Sequence, residues 1–114
     1  MADLGTRRRF DGLLRWTPER APTGTSEEFL PFAGTVGLGT LAAAGDDSVL
    51  ERLRELASDP RWRVREAVAM ALQRLGAADM RRLLAVTRRW AKGSDYERRA
   101  AVAALCEPAL LRRR

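Results

Sequence analysis

Arg61, Trp62, Arg65, Arg98 and Arg99 cluster at two helix starts. Planar guanidinium groups beside an indole suit the docking of an acidic protein segment or surface, because they offer forked donors and a large contact area together. Other chemistry has little to stand on. The chain contains no histidine, which removes the commonest general base and metal ligand. Cys106 is the only cysteine, so no intramolecular disulfide can form, and without an imidazole to activate it the thiol is read as buried or idle. The acid pairs Glu27-Glu28 and Asp46-Asp47 fall at helix starts, where the helix dipole accounts for them. The GTVGLGT stretch at 34–40 lacks the lysine of a phosphate-binding loop and follows no strand. The expectation is a non-enzymatic binding protein with no catalytic residues, metal or cofactor.

The formal net charge is +6, unevenly spread. Residues 11–60 hold four arginines against nine acids, whereas residues 61–99 hold eleven basic groups against four acids. A polarised body of this kind suits attraction between neighbouring repeats as well as it suits a polyanion. A protein partner with an acidic surface is the first expectation and nucleic acid the second. The single cysteine fits a reducing, cytoplasmic setting.

The elements that must carry these residues are helices. Alanine and leucine dominate a 114-residue chain without β-branched runs, which predicts one all-α domain. Residues 1–24 read as a basic arm interrupted by Pro18, Pro22 and Gly24, with a short helix over 7–16, and residues 25–114 read as the repeat domain. Helices are predicted near 26–44, 47–57, 60–75, 79–91 and 94–106, with a possible start at 109. The uncharged stretch at 29–45 is too short to span a bilayer, and its glycines are expected to let another helix approach closely. Asp59 is expected to cap the helix at 60–75, with Pro60 in its first position and Gly76 as its left-handed stop. Val64, Ala67, Val68, Ala71, Leu72 and Leu75 share its apolar arc. Ser94 and Glu97 predict a capping box for the next copy. On 79–91, Met80, Leu83, Leu84, Val86, Thr87 and Trp90 form the apolar arc and Arg81, Arg82, Ala85, Arg88 and Arg89 the opposite one.

The segments WRVREAVAMAL and DYERRAAVAAL match at an offset of 33, pairing Arg65 with Arg98 and Ala67 with Ala100. Shifted by one residue, they pair Trp62 with Tyr96 and Arg65 with Arg99 instead. Either register falls within the range of helical-hairpin arrays. The pattern Asp59, Val64, Arg65, Ala69, Leu72 resembles the second helix of a HEAT repeat, over roughly residues 46–106. This resemblance implies a short α-solenoid of antiparallel helix pairs in which Asp59 and Arg65 brace neighbouring repeats. A weaker likeness is to alkylpurine DNA glycosylases built on HEAT-like repeats. That likeness implies Trp62, Trp90 and Tyr96 as lesion-flanking aromatics, Asp59 or Asp95 as the acid, and Arg61, Arg63, Arg98 and Lys92 as phosphate contacts. An array that stops mid-element leaves an apolar face for further repeats or a second copy.

Overall fold

The computed structural model describes residues 4–15, 20 and 29–106, with side chains from residue 7 onward. Its elements are α1 (Leu4–Leu14), α2 (Phe29–Ala43), a 3-10 turn (Asp47–Val49) leading into α3 (Leu50–Leu56), α4 (Trp62–Ala78), α5 (Met80–Trp90) and α6 (Asp95–Leu105). No strand occurs among the described residues. The first residues of the helix expected near 26–44 and the helix start expected at 109 lie outside them.

The helices form three consecutive pairs, α1 with α2, α3 with α4 and α5 with α6, and the second members α2, α4 and α6 lie side by side as an inner layer. Helix α4 is the centre of the stack. Val64, Ala67, Val68, Ala71, Leu72 and Leu75 are all fully buried, as the 3.6-residue period of the segment requires. Val64, Val68, Ala71, Leu72 and Leu75 join Leu38, Leu41, Leu53, Leu83, Val86 and Trp90 in one hydrophobic core. Complete burial of each such leucine contributes on the order of 1.5–3 kcal/mol.

Small residues set how closely the inner helices approach. A Cβ on Gly39 would lie 2.5 Å from Ala71 Cα, so α2 rests directly on the backbone of α4. Gly34 plays the same part toward α1, where a Cβ would stand 2.9 Å from the Phe10 carbonyl oxygen, and Gly37 leaves the space that the Phe10 ring fills. The helix expected at 7–16 thus runs 4–14 and packs on α2, burying Leu14.

Two helix ends differ from expectation. Asp59 does not cap α4, which starts at Trp62 with Arg61 as its N-cap residue. The Asp59 carboxylate accepts from the Arg61 backbone N–H at 2.9 Å and from the Arg61 guanidinium, so it closes a turn ahead of the helix. Gly76 is no stop either, being buried inside a helix that runs on to Ala78. Asp79 ends α4 in extended conformation and caps α5 by accepting from the N–H groups of Arg81 and Arg82. The left-handed glycine lies elsewhere, at Gly45 after α2, with φ +110°.

Replacing Gly39 with alanine forces α2 and α4 apart, and the resulting loss of packing, about 1–3 kcal/mol, outweighs the propensity gain. Gly12→Ala, with nothing within 4 Å of the new methyl, raises stability by about 0.4–1 kcal/mol. Urea denaturation of the two variants should therefore show midpoints shifted in opposite directions.

Candidate functional site

Between α4 and α6 lies a groove of about 280 Å³ lined by Trp62, Arg65, Glu66 and Ala69 on one side and Tyr96, Arg99, Ala100 and Ala103 on the other, with Ala57 at its edge. Each set follows the i, i+3, i+4, i+7 spacing of a single helix stripe. Both helices contribute residues from their starts onward, so they run side by side in the same direction. Gln73 Nε2 donates to the Ala103 carbonyl at 3.4 Å across the seam.

The geometry resolves the two sequence registers. Helix starts at Trp62 and Asp95, and the buried sets Ala67, Val68, Ala71 and Ala100, Ala101, Ala104, both repeat at 33. The groove-lining sets Trp62, Arg65, Ala69 and Tyr96, Arg99, Ala103 correspond instead at an offset of 34. A groove is walled by opposite flanks of two neighbouring helices, and one residue step turns a helix by about 100°. The repeat is therefore 33, and the extra residue is the turn from one flank to the other.

The five residues expected to bind a partner divide in the structure. Trp62, Arg65 and Arg99 line the groove. Trp62 is 49% exposed with the Arg63 guanidinium 4.9 Å from its ring centroid. Arg61 is a correction: it is 3% exposed, turned inward onto Asp59, whose side chain is also nearly covered. Arg98 pairs with Asp95 one turn away on α6, where it lines a shallower depression with Arg99, Val102 and Ala103.

Arg65 combines two roles. One of its terminal nitrogens donates to the carbonyls of Asp59 at 2.8 Å and Pro60 at 3.0 Å, tying the α3–α4 corner to the helix. Its guanidinium also lies 4.8 Å from the Tyr96 ring centroid, and that of Arg99 lies 5.7 Å from the same ring. Such contacts contribute roughly 0.5–1 kcal/mol each at exposed sites. Tyr96 thus orients both cations, a role the partner-binding set left out. Its alignment with Trp62 in the shifted register was the available signal.

Other residues fall where packing needs them. Trp90 is buried at 2% exposure and belongs to the core. Leu84, placed on the apolar arc of α5, is 40% exposed, whereas Arg82 on the opposite arc is half-buried, paired with Asp47 and donating to the Ala42 carbonyl at 2.8 Å. Ser94 accepts from the Glu97 N–H at 3.2 Å, but the Glu97 carboxylate turns to Arg54 at 2.6 Å and joins α6 to α3. Cys106 is exposed rather than buried. No cluster of acids and cysteine suited to a metal exists among the described residues. None of the described helices is long and apolar enough to cross a membrane.

Paired helices stacked with their second members side by side define a helical-repeat solenoid. The family model for HEAT repeats matches residues 37–106, more than half of the chain. The chain belongs to the HEAT-repeat family. No curated protein sequence and no solved structure gives a significant match.

Because Asp59 and Arg61 are covered together, Arg61→Met strands the Asp59 carboxylate and lowers stability by about 3 kcal/mol. The same variant leaves the exposed groove residues in place. Chemical denaturation should record the loss, and the near-ultraviolet spectrum should stay native under non-denaturing conditions.

Proposed function

We propose that this chain is a non-enzymatic interaction module whose groove receives an acidic segment of a partner protein. The observation that carries the reading is the convergence of Trp62, Tyr96 and Arg99 on one alanine-floored groove while all three remain exposed. Aromatic rings supply contact area with little entropy to lose, and the alanines admit a side chain between the helices. Arg99 is the carboxylate-binding group. It has no ion-pair partner among the described residues, whereas Arg65 already serves two backbone carbonyls.

Glu66 favours a peptide over a nucleic-acid strand. It faces the same groove without a salt bridge among the described residues. A chain of phosphates would set negative charge against it, while a polypeptide offers backbone N–H donors. Of the lesion-flanking set of a glycosylase, Trp90 lies in the core and Asp59 is committed to Arg61, which leaves Trp62, Tyr96 and Asp95 at the surface. The module works by binding alone, in the cytoplasm, where a reducing setting suits the exposed Cys106.

Calorimetric titration with an acidic peptide carrying one leucine or phenylalanine should give saturable binding that weakens as salt rises. Arg99→Glu should weaken it at least about tenfold, and Trp62→Ala by a similar factor. Affinity unchanged in both variants, or tighter binding of a short DNA duplex than of the peptide, would overturn the reading.

A further inference from the structure

The groove holds two opposite charges that the protein itself leaves unanswered. Glu66 on α4 and Arg99 on α6 occupy equivalent positions, 33 residues apart, and both are exposed in the same groove. Each has a residue of opposite charge at pairing spacing on its own helix, and neither uses it. Arg63, three residues before Glu66, lies over the Trp62 ring with its guanidinium 4.9 Å from the centroid. Asp95, four residues before Arg99, pairs with Arg98 instead. Nor do the two meet across the groove: no salt bridge joins Glu66 or Arg99 to any described residue.

Their surroundings keep the two charges distinct. The guanidinium groups of Arg65 and Arg99 both stand over the Tyr96 ring, 4.8 and 5.7 Å from its centroid, so positive charge gathers at that ring. Glu66 follows Trp62 by one helical turn on the same wall, and Trp62 is 49% exposed. An indole one turn from a carboxylate suits a long basic side chain, whose aliphatic stem covers the ring while its charged end reaches the acid. A ligand bearing only negative charge satisfies Arg99 but sets a like charge near Glu66. One bearing both signs satisfies both groups.

We infer that the partner segment carries a lysine or arginine close to the acidic residue that meets Arg99, so that the groove recognises a pair of opposite charges rather than an acid alone. The basic side chain lies along Trp62 and ends at Glu66, and the acid turns to the α6 wall. The pair also sets which side of the segment faces α4, because turning it over brings like charges together on both walls. This inference rests on the groove as the binding site and makes Glu66 its specificity determinant.

The test is fluorescence anisotropy with labelled acidic peptides in which one lysine stands one to four residues before or after a glutamate. Each is made with the free lysine and with its Nε-acetylated form. Acetylation keeps the stem, removes the positive charge and makes the peptide more acidic. Attraction by a chain of net charge +6 would therefore favour the acetylated form. The inference requires the reverse: at least one member should bind about threefold or more tightly with free lysine. Glu66→Gln should abolish that preference, and Glu66→Arg should turn it toward the acetylated form. Glu66 is exposed, so neither variant disturbs the core. A set with no member favouring free lysine, or a preference that survives in Glu66→Gln, would overturn the inference. Weakened binding by Arg99→Glu and Trp62→Ala, with acetylation making no difference, would keep the groove and discard the charge pair. The same two variants without effect on either form would discard the groove itself.

Discussion

The contact on which the structure depends is the seating of α2 on α4, where Gly39 presents no side chain and Ala71 only a methyl group. Two helices that meet through larger residues can slide or rotate to relieve a misfit, whereas backbones in direct contact have few alternative registers. This contact levels the starts of α2 and α4, and Trp62 at the start of α4 shares its groove with Tyr96 at the start of α6. The glycine-rich stretch at 34–40 is therefore a packing surface, with Gly34 and Gly37 serving α1 and Gly39 serving α4.

Charged groups then hold the hairpins in relation to one another. Asp59 and Arg61 lock the corner between α3 and α4, Arg54 and Glu97 join the outer helix of one pair to the inner helix of the next, and Arg82 reaches back to Asp47. Each committed pair withdraws a cation from the surface of a basic chain. Among the groove arginines, Arg65 commits one terminal nitrogen to two backbone carbonyls, and Arg99 lies over the Tyr96 ring with no ion-pair partner among the described residues. In the proposed binding mode, specificity comes from Arg99, set beside Glu66 in the groove, rather than from bulk positive charge.

Periodicity made the body of the fold legible in the sequence. The apolar arc of α4 was readable because six residues repeat at helical spacing and all six are buried. The helix start was not, because whether Asp59 caps the helix or binds Arg61 is decided by how the corner folds back, which no spacing rule contains. The exposure of Arg61 failed for the same reason: one carboxylate draws it inward, while Trp62 next to it emerges. Gly76 carried the composition of a stop, but Leu75 continues the core and the carboxylate of Asp79 supplies a stronger boundary. The groove was half legible. Its residues stood in the shifted register, yet only the arrangement of two flanking helices shows why a 33-residue repeat yields groove walls that correspond at 34.

Nitrogen-15 shift mapping addresses the central claim most directly, because Trp62 and Trp90 act as paired reporters, one in the groove and one in the core. On titration with an acidic peptide, the Trp62 indole N–H and the amides of Arg65, Tyr96 and Arg99 should move and saturate together while the Trp90 indole stays still. Shifts gathered on Arg81, Arg88 and Arg89 of α5, with Trp62 unmoved, would contradict the account.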